Sequence, residues 1–185
     1  MSGRSYRLGR RQDAVDRTRR AILVAARDLL VAGEPQEISA GAVAKRAGVS
    51  RVTVYNQFGS KAGLLAALAA GAQGEQPIPA GIEPADLLRR RIVESCSRWA
   101  TDPALFRGLL KGPNLDPESS IEDRALAERL AASDLLRPGC SLKEAEDVIG
   151  ALTSFPVFDR LHKNGRRSPA FVAGILMRLA AAILA

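Results

Sequence analysis

The sequence is poor in the residues that carry most chemistry. Its 185 residues include two cysteines, one histidine and one tryptophan, and aromatic residues make up only 4%. Cys96 and Cys140 are too few for a disulfide scaffold and have no metal-ligand spacing; free thiols suit a reducing cytoplasm. His162 stands in the charged run Asp159-Arg160-Leu161-His162-Lys163, with no serine or cysteine motif beside it. No glycine-rich phosphate loop follows a strand, and no His/Glu pair has metal spacing. The expectation is therefore no catalytic residue, no metal and no cofactor. No apolar run approaches the ~20 residues of a membrane span. Residues 1–20 are too rich in arginine to hold the apolar stretch of a signal peptide. A cytoplasmic protein with no membrane partner is expected.

What is present is positive charge, unevenly placed. Residues 1–76 hold 12 Lys/Arg against 6 Asp/Glu, whereas residues 77–185 hold 15 against 14. Nearly all of the net charge of +7 thus lies in the first two-fifths of the chain. Solubility needs no such asymmetry. A polyanion-binding head on a near-neutral body predicts it.

The periodicity is helical throughout. Residues 1–12 carry four arginines and no apolar pattern, and are expected to form a disordered basic arm. From Asp13, residues Val15, Ile22, Ala25, Ala26, Leu29 and Leu30 recur at helical steps until Gly33 and Pro35 stop the run. Three short helices follow, capped by Ser39, Ser50 and Ser60. Ile38 with Val43, and Val49 with Val54, have hydrophobic-staple spacing across the first two caps. The head is expected over 13–72 and a Gly/Pro-rich linker over 73–84. A helical body follows over 85–185, in which Ser141 with Glu144 opens a long helix reaching about Lys163, with a kink at Pro156. About nine helices and no strands are expected, an all-α fold.

Residues 39–58 have helix-turn-helix spacing. Val43, Ala47, Val49, Val54 and Phe58 are apolar where two crossing helices must pack, and Gly48 occupies the turn. The second helix otherwise offers Arg51, Val52, Thr53, Tyr55, Asn56 and Gln57, a mostly polar face of the width that enters a B-DNA major groove. Lys61 opens the next helix with a cation at the wrong end of the macrodipole. Such a break in a local rule is expected where a phosphate is held.

Over residues 14–72 the sequence resembles the DNA-binding domain of TetR-family transcriptional regulators. The likeness is carried by Ser50-x-x-Thr53-Val54-Tyr55-x-x-Phe58-x-Ser60-Lys61-x-x-Leu64-Leu65 and by Ala25-Ala26-Arg27-Asp28-Leu29-Leu30 before it. Beyond Ala72 only the helical layout is similar. The resemblance implies that Arg51 and Val52 probe base edges, that Thr53, Tyr55, Gln57 and Lys61 mainly hold phosphates, and that Ser50 caps the recognition helix; Asn56 joins the DNA-binding set from its place on the outward polar face. Gly41 and Ala42 depart from the family pattern, so the helix before the turn is expected to add little to readout; Ala62 and Gly63 depart from it in the helix after the recognition helix, Gly63 at a cost of ~1 kcal/mol against alanine.

The same resemblance implies a ligand-responsive repressor that binds a palindromic operator in double-stranded DNA as a homodimer. Its effector and dimerisation domain would be the helical body. Apolar stripes suggest Val148, Leu152, Val172, Leu176, Leu179 and Ile183 as the dimer interface. Cys96, Trp99, Phe106 and Phe155 are candidates to line a pocket for a small apolar or amphipathic effector. The competing reading is a helical adaptor that binds protein and has no specific affinity for DNA.

Overall fold

The computed structural model describes residues 3–33, 38–71, 81–110 and 117–185, with side chains described from Asp13 in the first stretch and from Ile121 in the last. These residues form ten α-helices and one π-helical turn, and the fold is all-α. Among them a single isolated bridge, Leu136 to Leu184, has strand geometry. The chain clusters into two compact units, residues 1–72 with 104–115 and residues 73–103 with 116–185.

The first unit begins with α1 (Gly3–Ala32). Residues 3–12 are therefore helical and not the disordered arm their composition suggested. That stretch contains no proline, and its arginines, leucine and glutamine are good helix formers that extend a helix already nucleated downstream. Ile22, Ala25, Ala26 and Leu30 are its buried face. They pack with Val43 and Ala44 of α2 (Ala40–Ala47), Val54 of α3 (Arg51–Phe58), and Leu64, Leu65 and Leu68 of α4 (Lys61–Gly71).

One helix from far along the chain joins this core. In α6 (Pro103–Leu110), Leu105 is buried in the same cluster and Leu109 packs against it. Gly108 lies so close to α1 that a Cβ there would sit 2.7 Å from Leu30 Cγ and 3.0 Å from its carbonyl oxygen. The described part of this segment, α6, thus belongs with the head, whereas everything after 85 was expected to form the body.

The second unit is built from α5 (Pro84–Thr101), α7 (Pro117–Ala132), α8 (Leu142–Leu152), α9 (Phe155–Asp159), the π turn Arg160–Asn164 and α10 (Pro169–Ala180). Leu88, Ile92, Cys96 and Trp99 form the buried face of α5. Asp123, Leu126, Ala127 and Leu130 face inward from α7. Asp123 is paired with Arg91 of α5 at 2.7 Å. It also lies against α8, where a Cβ on Gly150 would be 2.9 Å from its Oδ2. The long helix expected over 141–163 is broken. Pro156 has no N–H to give Leu152, and its ring would collide with that carbonyl. The chain instead ends α8 at Thr153, and α9 restarts with Pro156 in its first turn.

Candidate nucleic-acid interface

Local sequence signals set the geometry of the head. The Ser39 hydroxyl accepts from the Ala42 amide at 3.1 Å, that of Ser50 from Thr53 at 3.0 Å, and that of Ser60 from Gly63 at 3.0 Å. Gly48 ends α2 in the left-handed region at φ 68°, where a side chain would be strained. The Val49 amide then donates to the Ala44 carbonyl at 3.0 Å and closes the turn between the two helices. Gly63, a departure from the family pattern, has a steric reason: a Cβ there would run into the Phe58 carbonyl.

Only Val54 of α3 is buried, so the helix presents most of its surface outward. Arg51, Val52, Tyr55 and Asn56 are exposed, Val52 at 66%. An apolar side chain so bare has no folding role, which suits contact with a thymine methyl. Thr53 and Gln57 are half-buried, and the Thr53 hydroxyl is already engaged with Ser50 at 2.8 Å. Arg51 lies across the start of α2: a Cβ on Gly41 would stand 3.6 Å from its Nε and 3.8 Å from its Cδ. Gly41 thus offers no contact of its own but leaves the space in which Arg51 rests.

The electrostatics of the helix ends are unusual. None of α2, α3 and α4 has an acidic residue in its first turn, where one would be stabilising. Arg51 and Lys61 occupy the first positions of α3 and α4 instead. One surface notch is lined by Ser39 and Ala40 at the start of α2, Tyr55 of α3, and Ser60 and Lys61 at the start of α4, over an apolar floor of Ile38, Val54 and Leu64. Two positive helix ends, a lysine and a phenol meeting in one notch suit a phosphate group.

Sequence reasoning missed Arg19. From α1 its guanidinium stands 4.7 Å over the Phe58 ring, and its Nη1 donates to the Gln57 carbonyl at 3.3 Å. The partners lie 38 residues apart, and no periodicity reports a pairing at that range.

Residues 22–68 match the model for bacterial regulatory proteins of the tetR family. The match covers the helix-turn-helix and the helices on either side of it, so the head is similar to the DNA-binding domain of that family. No curated protein matches the chain in sequence. Solved structures extend the likeness in fold to most of it. NalD of Pseudomonas aeruginosa, described as the secondary repressor of the MexAB-OprM multidrug efflux pump, is 22% identical with a TM-score of 0.65, covering 92% of this chain and 97% of that one. TylP, a TetR regulator from Streptomyces fradiae, is 19% identical with a TM-score of 0.64, covering 91% of this chain and 86% of its own. A TetR-like transcriptional regulator from Rhodococcus sp. RHA1 is 23% identical with a TM-score of 0.57, over 88% and 93%. A head that matches the DNA-binding model of a regulator family disfavours the adaptor reading. Among the described residues, no helix is long and apolar enough to cross a membrane.

In the body, Cys96, Trp99 and Phe155 are all buried. The Trp99 ring meets Phe155 edge-on at 6.1 Å and Phe158 at 5.4 Å, and Phe158 in turn stacks with His162 at 5.0 Å. Phe106 lies on α6, which clusters with the head, so it is corrected from a body residue to a head residue. Burial raises the Cys96 thiol from its ordinary value to about 11.

The residues proposed for the dimer interface divide sharply. Val172, Leu176, Ile183 and Leu152 are 0–5% exposed within the single chain and are spent on their own subunit. Val148 is half-buried, whereas Leu179 is 51% and Phe171 57% exposed. The apolar stripe on α10 is wider than one face. Its inner edge packs within the subunit, and its outer edge, Phe171, Ile175 and Leu179 at four-residue steps, remains open.

Proposed function

We propose that the chain is a homodimeric, ligand-responsive transcriptional repressor that reads a palindromic operator through α3. The observation that carries the DNA-binding reading is the notch where the starts of α2 and α4 meet beside Tyr55 and Lys61. Held there, a phosphate fixes the depth at which α3 lies in the major groove. Arg51 and Val52, at its N-terminal end, then reach base edges, with Asn56 on the same exposed helix surface. Thr53 and Gln57 flank the phosphate line, and Ser50 holds the helix start.

One such head covers too few base pairs to select an address in a genome, so two act together. The outer edge of α10, with Val148 of α8, supplies the self-complementary seam that a two-fold dimer needs. Half-site spacing then equals the separation of the two α3 helices. The description of NalD as a repressor favours repression over activation. On this reading the chain works in the bacterial cytoplasm and answers a small apolar or amphipathic molecule bound among the aromatic residues of the body. That ligand lowers operator affinity by the ratio of its own affinities for the two head spacings.

Selection of duplexes from a random pool tests the reading, and an enriched inverted repeat is the expected result. Salt titrations of Lys61→Ala on that repeat should then show weaker binding and a shallower slope, by about 0.9 for each phosphate the lysine had neutralised. Selection that enriches nothing, or equal binding of all duplexes, refutes specific readout.

A further inference from the structure

We infer that Arg19 is a positioning residue for the recognition helix, one that governs sequence discrimination without itself contacting DNA. The inference rests on α3 being the reading helix.

The anchorage of α3 is thin. It has eight residues, one of them buried, and Phe58 at its end is only half-buried. Helices this short are marginal without tertiary support. The cap from Ser50 secures the first turn, so the last turn is the end left to fray. There the carbonyls of the final residues lack partners within the helix, and the negative end of its dipole is exposed. Two of them are satisfied locally, Tyr55 by the Gly59 amide at 2.8 Å and Phe58 by the Ser60 amide at 2.7 Å.

Arg19 adds a third carbonyl, a charge and a packing contact at once. Its Nη1 donates to the Gln57 carbonyl, and its charge lies at the negative helix end. Its guanidinium covers Phe58, the side chain that closes the helix onto the core. Because α1 also supplies Ile22, Ala25, Ala26 and Leu30 to the core, the clamp ties the tilt of α3 to a helix that is itself firmly seated. Tilt matters for discrimination: a rotation that leaves phosphates held still moves Arg51, Val52 and Asn56 off their base edges. A phosphate-binding arginine would instead weaken all duplexes alike.

The test uses the full chain, with Arg19→Met and Arg19→Lys, on the duplex that the unaltered protein selects and on a scrambled duplex of the same composition. For Arg19→Met the inference expects roughly tenfold weaker binding to the selected duplex, unchanged binding to the scrambled one and an unchanged salt slope. Arg19→Lys, which keeps a cation and a donor, should recover most of the loss. Amide exchange of residues 55–58 in the free protein should quicken in Arg19→Met by more than that of the buried α1 residues 22–30. Equal weakening of both duplexes with a slope reduced by about 0.9 would make Arg19 a phosphate ligand and overturn the inference. Unchanged exchange at 55–58 would overturn it as well. If the unaltered chain selects no duplex, the DNA reading itself fails, and the exchange measurement still reports whether the clamp exists.

Discussion

Leu176 and Leu179 lie three residues apart on α10, and the structure gives them opposite duties. Leu176 is 0% exposed in the single chain and Leu179 is 51% exposed. Glutamate at the two positions should therefore produce different failures. At 176 it removes a leucine burial of about 1.5–3 kcal/mol and adds several more for an unpaired buried carboxylate. Against a total stability of ~5–15 kcal/mol, Leu176→Glu should be largely unfolded. At 179 the subunit core is untouched. Half of a leucine's surface remains to be buried on dimerisation, about 0.7–1.5 kcal/mol, and two-fold symmetry counts it twice. The dimer should lose about 1.5–3 kcal/mol, a rise in dissociation constant of ~10–150-fold, before any desolvation of the carboxylate is added. Sedimentation over a concentration series separates the cases: Leu179→Glu should be a folded monomer where the unaltered chain is a dimer. Operator affinity should fall with it. If Leu179→Glu and Phe171→Glu both remain dimeric at every concentration, the outer edge of α10 is not the seam.

The other expectations are briefer. Gly41→Gln should shift base preference at the position Arg51 reads, with little loss of stability, because the new side chain occupies the space where Arg51 rests; repeated duplex selection checks it. Asp123→Ala should cost less in denaturant unfolding than the ~3 kcal/mol of a wholly stranded buried charge, since Arg91 loses its 2.7 Å partner but keeps Glu122 at 3.5 Å. The double change Arg91→Met with Asp123→Leu should cost less than that single change. A maleimide should label Cys140 in the native chain and reach Cys96 only after unfolding, because burial both shields the Cys96 thiol and keeps it protonated.

What could be read from the sequence is what neighbouring residues decide. Ser39, Ser50 and Ser141 cap the helices that their spacing predicts, and Gly48 makes the turn its position requires. The exposed face of α3 likewise follows from spacing alone. Tertiary context decides the rest. The α10 pattern carries two apolar edges, and periodicity does not say which one the subunit consumes. The effect of Pro156 can be located in the sequence but not its extent: a kink is expected, and a full break with a π turn beyond it results. The pairing of Arg19 with the end of α3 has no signature in either segment. Gly63 departs from the family pattern at a cost of ~1 kcal/mol in helix propensity. It is also the residue that lets α4 start directly against Phe58.

The recruitment of α6 into the head bears on how such a protein can be cut. A fragment ending at residue 72 keeps the whole helix-turn-helix yet lacks Leu105, Leu109 and the close seat that Gly108 makes for Leu30. Its α1 would show bare hydrocarbon to water, inviting self-association where a clean DNA-binding module was intended. The chain passes between its two units at 72/73, 103/104 and 115/116. A chimera joining this head to a foreign sensor must therefore import residues 104–115 with it, as an insertion within the sensor. Evolution faces the same splice: heads and bodies of this build cannot be shuffled as beads on a string, and a new sensor must arrive already threaded through the helix that supports the old reader.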